Sequence, residues 1–118
     1  MEFFRYSEFQ CKCGCGMLPQ PFVMDNLDHI RRALRVPLVI HSGARCARHN
    51  ARVGGALLSQ HVKGRAVDIR WPEGHQSALL GLLQRNGVRG IGIYPTFVHA
   101  DWREGPSAFW VRPEGART

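Results

Sequence analysis

The stretch SQHVKGRAVDIR carries a histidine, His61, seven positions before an aspartate, Asp68. A second histidine, His99, lies two positions before Asp101 in the stretch FVHADWR. Two imidazoles and one carboxylate can give zinc three ligands and leave a fourth position for water, as in catalytic zinc sites. Zinc lowers the pKa of a bound water toward ~7 and polarises a carbonyl group. The residue types therefore allow metal-assisted hydrolysis, although this His-to-Asp spacing by itself is also found in ordinary polar loops.

Two segments with alternating side chains are predicted to bring these residues together. Residues 66–71 and residues 97–103 each alternate between apolar and polar positions, as half-buried strands do. If the two strands are neighbours in one sheet, Asp68 and His99 oppose each other with ~5 Å between their Cβ atoms. The glycine-containing turn before the first strand would then return His61 to the same place.

The rest of the chain predicts helices and short strands around these two segments. Helices are expected where apolar residues recur every three or four positions, and strands where short apolar runs end at glycine or proline. The predicted elements, in chain order, are a helix from Pro21 to about Arg35, a buried strand at 38–40, a short helix at 44–53, a helix built on Leu79, Leu80, Leu82 and Leu83, and a strand at 90–95. Together they predict an α+β fold with a small antiparallel sheet and flanking helices.

Length and composition predict a single folding unit. The chain has 118 residues, of which 44% are hydrophobic and 21% charged, so it is large enough to bury one core. We therefore expect one domain that spans residues 1–118.

The net charge of +7 favours a polyanionic partner, and both nucleic acid and the bacterial envelope fit. The sixteen Lys and Arg residues are spread from Arg5 to Arg117, whereas nucleic-acid-binding proteins tend to concentrate them on one arm or helix. We therefore expect no nucleic-acid partner.

The N-terminal stretch MEFFRYSEFQ contains three charged residues and lacks the apolar core of a secretory signal. We therefore expect no signal peptide and a chain that is cytoplasmic at synthesis. No apolar run approaches the ~18 residues that a membrane span needs, so no membrane insertion is expected.

Four cysteines stand at Cys11, Cys13, Cys15 and Cys46, three of them in CKCGCG. The C-x-C spacing is tight for a zinc knuckle, which usually separates paired ligands by two to four residues. Reduced thiols in a glycine-rich turn are the leading interpretation. A disulfide from Cys46 to one of the other three and a structural zinc ion remain as alternatives.

Three segments together resemble the zinc peptidases of the D-Ala-D-Ala carboxypeptidase family. They are SGARC at 42–46, HNARVGGALLSQHVKGRAVDIRW at 49–71 and GIGIYPTFVHADWR at 90–103. They carry, in the family's order, S-G-x-R, S-x-H-x-x-G-x-A-x-D and H-x-D, and cover about half of the chain. The opening YSEFQCKCGCG also resembles small phage and prophage members. The resemblance implies the hedgehog/DD-peptidase fold and activity on peptidoglycan peptides.

The resemblance also implies roles for individual residues. His61, Asp68 and His99 match the family's ligands for one zinc ion. Arg45 in S-G-x-R resembles an arginine that binds substrate or stabilises the developing oxyanion, and the alternative is an ordinary surface salt bridge. Ser59 resembles a serine of the ligand loop, whose hydroxyl bonds either substrate or backbone.

The expected general base departs from one family pattern. Several relatives have an acid three positions before the last zinc histidine, where this chain has Thr96. In the branch of the family with the H-x-D ending, the acid lies two positions after the ligand, and the strand period puts Asp101 on the same face as His99, so the resemblance predicts that Asp101 is the general base. The alternative is that Asp101 orients a histidine ligand.

The predicted function is zinc-dependent hydrolysis of amide bonds in peptidoglycan stem peptides by a monomer. A D,D-carboxypeptidase, a murein endopeptidase and a phage or prophage endolysin all fit, acting on the wall after release or on its precursors. Two other classes stay open: a catalytically inactive, zinc-containing cell-wall binding module, and a basic nucleic-acid-binding protein that uses the cysteine cluster.

Overall fold

The computed structural model describes residues 1–112, which form an α+β fold. The helices are α1 (Pro21–Leu34), α2 (Ala47–Arg52) and α3 (Gln76–Arg85), and a 3-10 turn spans Tyr6–Glu8. The strands are β1 (Ile40–Ser42), β2 (Ala66–Arg70), β3 (Gly90–Ile93), β4 (Phe97–Asp101) and β5 (Ala108–Val111). The predicted α+β class with flanking helices is confirmed. Within residues 1–112, no helix has both the length and the apolar character needed to cross a bilayer.

The sheet is mixed rather than fully antiparallel. Its strand order is β1-β2-β4-β3-β5, and each neighbouring pair is antiparallel except β3 and β5, which are parallel. The difference arises from β5, which the sequence analysis did not predict. Its four residues, AFWV, show no alternation of apolar and polar types, and pairing with β3 is what makes them a strand.

The two longer helices cover one face of the sheet. Helix α1 begins with Pro21 in its first turn and ends at Leu34, after which Arg35 caps it with a left-handed φ of 66°. Its predicted apolar stripe is buried in the core: Val23, Leu27, Ile30 and Leu34. In α3 the fully buried leucines are Leu79 and Leu83, while Leu80 and Leu82 pack at the edge of the core. The helical periodicity was sufficient to place both helices.

Two short elements differ from their predicted bounds. The strand predicted at 38–40 is paired at Ile40–Ser42, because β2 ends at Arg70 and provides no strand residue opposite Leu38. Leu38 is nevertheless buried in the core. The short helix predicted at 44–53 spans Ala47–Arg52.

The central strands present one apolar and one polar face. The apolar side chains pack into the same core as α1 and α3, and they are Val67, Ile69, Val98 and Ala100. The alternate positions of β2 and β4 carry Asp68, His99 and Asp101 on the opposite face. The Cα atoms of Asp68 and His99 are direct partners across the antiparallel pair, as predicted.

Candidate metal centre and active site

Three elements bring His61, Asp68 and His99 into one buried cluster. Asp68 and His99 come from the paired strands β2 and β4, and His61 comes from the turn that leads into β2. Gly64, whose φ is +71°, allows that turn to reverse the chain, and its N–H donates to the His61 carbonyl at 3.2 Å. His61 is fully buried, and Asp68 and His99 are each 4% exposed.

The hydrogen bonds of His61 define its tautomer. Its Nδ1 lies 2.7 Å from the carbonyl oxygen of Gly43, which can only accept, so Nδ1 carries the hydrogen. Burial lowers the pKa of His61 below its ordinary value, although Asp68 opposes this shift. The neutral ring therefore leaves Nε2 unprotonated, 3.1 Å from Oδ1 of Asp68.

His99 lies between two carboxylates. Its Nε2 is 2.8 Å from Oδ2 of Asp101, and its Nδ1 is 3.0 Å from Oδ1 of Asp68. Burial disfavours the charged ring, but hydrogen bonds with Asp101 and Asp68 outweigh it and raise the pKa of His99. Because the Nε2 hydrogen is donated to Asp101, Nδ1 of the neutral ring and the Asp68 oxygen are both acceptors. Their close contact therefore requires a cation between them, either a second proton on the ring or a metal ion.

Both imidazoles therefore direct a nitrogen at the same carboxylate oxygen, an arrangement that a divalent cation would satisfy. The ligand atoms of the three residues all lie within 4.8 Å of one another. Tetrahedral zinc, with bonds of about 2.0–2.1 Å to nitrogen and oxygen, places its ligand atoms about 3.4 Å apart. The two distances to Asp68 are close to that value, so the residues fit a zinc ion with three protein ligands.

Asp68 is held in its charged form. Burial would raise the pKa of its carboxyl group, but His61 and His99 lower it well below its usual range. Oδ2, the oxygen not shared by the two histidines, lies 3.8 Å from Nη2 of Arg45. An ionised carboxylate is the form that binds metal.

Arg45 is buried beside the cluster rather than on the surface. The residue is 5% exposed, and its Nη1 donates to Oδ1 of Asn50 at 3.0 Å. Gly55 makes room for this contact, because a Cβ at that position would lie 2.1 Å from the Asn50 oxygen. The alternative of a surface salt bridge therefore does not describe Arg45, whose fixed cation lies next to the predicted metal ligands.

Asp101 is fully buried, and both of its oxygens are engaged. Arg103 binds it in a bidentate manner, with Nε 2.8 Å from Oδ1 and Nη2 2.7 Å from Oδ2, and His99 contacts Oδ2. Burial would raise the pKa of Asp101, but Arg103 and His99 lower it well below its usual range. The assignment of Asp101 as the general base stays a prediction, and these contacts favour the alternative role of orienting His99.

An open cavity borders the cluster at His99. Its described lining is Ala56, Leu58, Ser59, Gln60, Tyr94, His99, Arg103, Trp110 and Arg112. The Ser59 hydroxyl accepts a hydrogen bond from the backbone N–H of His61 at 3.2 Å, so it supports the ligand turn and faces the cavity as well. The side-chain oxygen of Gln60 is buried and has no hydrogen-bond partner among the described residues, which leaves it available to a ligand donor.

Several of these groups had no role predicted from the sequence. The Gly43 carbonyl lies inside S-G-x-R, a motif that was singled out only for its arginine. Arg103 directly follows H-A-D-W, and its period-2 spacing from Asp101 was the available signal. Trp110 lies on the unpredicted strand β5, with its ring centroid 5.3 Å from that of His99. No local pattern indicates that proximity.

A buried cluster of two imidazoles and one carboxylate, with a cavity beside it, is the arrangement of a metal-dependent hydrolase rather than of a closed structural metal site. The family model described as Peptidase M15 matches residues 2–101. The chain therefore belongs to the Peptidase M15 family, and the resemblance to the zinc D-Ala-D-Ala carboxypeptidase family is confirmed. This family is zinc-dependent, in agreement with the donor set described above. None of the curated proteins matches the chain.

Proposed function

We propose that this protein hydrolyses amide bonds in peptidoglycan stem peptides with one zinc ion held by His61, Asp68 and His99. One observation carries the proposal: nitrogens of two buried imidazoles lie 3.1 and 3.0 Å from a single oxygen of Asp68. Zinc at this position would lower the pKa of a bound water and polarise the scissile carbonyl group. Membership of a zinc-dependent peptidase family supports the same chemistry.

The surrounding residues prepare the three ligands. The Gly43 carbonyl holds the hydrogen of His61 on Nδ1, and Asp101 holds that of His99 on Nε2. Each ring thereby keeps its other nitrogen free for the ion, since a ligand histidine needs its second nitrogen fixed by a hydrogen bond. Of the two roles predicted for Asp101, we propose that it orients His99.

Arg45 and Ser59 are proposed to contact the substrate. Arg45 is a fixed cation 3.8 Å from Asp68, one of the proposed zinc ligands, and this proximity to the metal supports a role in stabilising negative charge on an attacked carbonyl group. The Ser59 hydroxyl accepts from the backbone of His61 and retains its own hydrogen for a substrate acceptor.

The cavity favours a short peptide with free carboxylates. Its volume is about 190 Å³. Pockets for drug-sized ligands span roughly 300–1,000 Å³, so this one suits one or two residues of a peptide rather than a sugar chain. Arg103 and Arg112 line it and supply positive charge, while Tyr94 and Trp110 supply aromatic walls. Stem peptides offer free carboxylates, and the net charge of +7 would hold the protein at an anionic cell wall.

A second candidate is a zinc-containing wall-binding module without turnover. It is favoured by one observation: the described residues that line the cavity include no carboxylate. Asp101, which contacts the cavity-lining His99, is fully buried and bound by Arg103.

Mass spectrometry of purified muropeptides, with zinc content measured on the same samples, tests both candidates. We expect the wild type to release peptide products and the variant His61→Ala to lose zinc and cleavage together. The matched control is His75→Ala, which changes an exposed histidine and should leave both unchanged. Zinc-loaded wild type without cleavage would support the binding module, and cleavage by His61→Ala at the wild-type rate would contradict the proposed zinc site.

A further inference from the structure

The four cysteines converge on the 43–46 segment, although three of them are distant from it in the chain. All four are free, and their Sγ atoms lie within 4.8 Å of one another. The Sγ atom of Cys13 is 3.4 Å from that of Cys11 and 3.6 Å from that of Cys46. The described residues thus contain a second cluster of metal-binding side chains, separate from His61, Asp68 and His99.

These distances are close to those of a tetrahedral metal site. Zn–S bonds of about 2.3 Å place the sulfurs of such a site about 3.8 Å apart, whereas a disulfide requires about 2.05 Å. The observed sulfur–sulfur separations of 3.4 and 3.6 Å are thus close to the distance between ligands of a zinc tetrathiolate and much longer than a disulfide bond.

The turn at 11–17 explains how C-x-C spacing becomes compatible with one ion. Gly14 and Gly16 adopt positive φ values of 84° and 86°, which a residue with a side chain rarely adopts. The backbone N–H of Cys11 donates to the Met17 carbonyl at 2.9 Å, which closes the loop. An extended strand would separate alternate cysteines by nearly 7 Å along its axis. The looped backbone instead gathers their sulfur atoms on one side.

Backbone donors already point at two of the sulfurs. The N–H of Cys46 lies 3.4 Å from Sγ of Cys11, and the N–H of His49 lies 3.4 Å from Sγ of Cys46. A donor hydrogen bond to sulfur stabilises the thiolate, the form that binds metal.

We propose that Cys11, Cys13, Cys15 and Cys46 bind a second zinc ion, which fastens the N-terminal turn to the 43–46 segment of the active site. The four thiols lose their protons on binding, and no redox partner is needed. All four positions are filled by sulfur, so this ion is structural and has no place for substrate.

The cysteine cluster adjoins the backbone segment that positions residues of the first metal site. Cys46 directly follows Arg45, and the backbone N–H of Ala44 donates to the Phe9 carbonyl at 2.9 Å. Gly43, whose carbonyl holds His61, is packed so tightly against Phe9 that a Cβ there would lie 2.4 Å from the Phe9 oxygen. The second ion would therefore hold the backbone that positions both Arg45 and the Gly43 carbonyl.

Metal content and cobalt spectroscopy of the whole chain, prepared reduced and without oxygen, test this site independently of activity. We expect two zinc ions per wild-type chain, and one in each of the variants His61→Ala and Cys46→Ser. After replacement by cobalt(II), the sulfur-to-cobalt charge-transfer band should persist in His61→Ala and disappear in Cys46→Ser. His75→Ala is the control for both readouts. If the proposed function fails because His61→Ala keeps its zinc, the sulfur-to-cobalt band still reports on the cysteine site alone.

Two further measurements keep the test decisive if Cys46→Ser does not fold. Cys15→Ser alters the exposed member of the cluster, and we expect its zinc affinity at this site to fall more than the roughly 10–100-fold cost of losing an outer-sphere partner. In the wild type, modification of the cysteines by a thiol-specific reagent should release one zinc ion per chain. The modification should be slow while the ion is bound and faster once the ion has been removed. Four thiols that react at once with no zinc released, or a mass that shows disulfides in the reduced preparation, would overturn the proposal.

Discussion

Replacing Asp101 by asparagine is expected to weaken zinc binding more than it slows the reaction at saturating zinc. Oδ2 of Asp101 lies 2.8 Å from Nε2 of His99, and Arg103 donates to both carboxylate oxygens at 2.8 and 2.7 Å. Asparagine keeps the shape but replaces one oxygen by an NH₂ group. Either His99 or Arg103 then faces a donor instead of an acceptor, so the orientation of His99 is disturbed.

The two roles considered for Asp101 predict effects on different quantities. Loss of a group that orients a metal-bound histidine typically costs 10–100-fold in metal affinity. This corresponds to about 1.4–2.7 kcal/mol, since each tenfold change is worth about 1.4 kcal/mol. Loss of a general base instead lowers kcat by roughly 10²–10⁴ and leaves the zinc affinity unchanged. We expect the first pattern because the described hydrogen bonds of the Asp101 carboxylate are made to His99 and Arg103.

Competition with a chromophoric chelator measures the zinc affinity, and muropeptide cleavage in excess zinc measures kcat. The control is Arg103→Gln, which breaks the ion pair with Asp101 but leaves the carboxylate on His99. Breaking this partly exposed pair can lower stability, so thermal unfolding is recorded for both variants. A hundredfold lower kcat with unchanged zinc affinity would refute the orienting role and make Asp101 the base. If both quantities stay at their wild-type values, Asp101 has neither role.

Three further predictions concern the site and its framework. Arg45→Lys keeps the charge but loses the planar fork, so zinc content should be retained while kcat/KM for muropeptides falls by up to roughly 10²–10³; unchanged kinetics would remove Arg45 from catalysis. In Gly90→Ala the new Cβ would lie 2.3 Å from the carboxylate oxygens of Asp101, so denaturant unfolding should show a loss of about 1–3 kcal/mol together with weaker zinc binding. Gly81→Ala, which meets only the flexible end of an arginine, is the control and should not be destabilised. Burial alone would raise the pKa of Asp28, but hydrogen bonds from backbone N–H groups of the N-terminal segment have the larger, opposite effect and hold the pKa below its usual value. Asp28→Asn should therefore lower the free energy of unfolding by roughly 1–3 kcal/mol above about pH 5, with the difference vanishing as the pH falls through the folded-state pKa; a difference independent of pH would contradict this.

Much of the fold follows from local periodicity. The stripes of α1 and α3 recur every three or four residues, and β2 and β4 alternate, so the faces they bury were predictable. The period of two also put Asp68 and His99 on polar strand faces, and the predicted opposition of these residues is confirmed by the register. Strand β5 was missed because a four-residue apolar run has no period of its own.

The sequence by itself determined which residues share a strand face and which side chains offer donors to a metal ion, since both depend on residue type and short spacing. Only the tertiary structure decided which nitrogen of His99 faces Asp68 and which faces Asp101, that β3 and β5 run parallel, and that Cys46 meets the N-terminal cysteines. These features depend on pairings between residues far apart in the chain. Such pairings are selected by the packing of the whole core, and no local pattern encodes them.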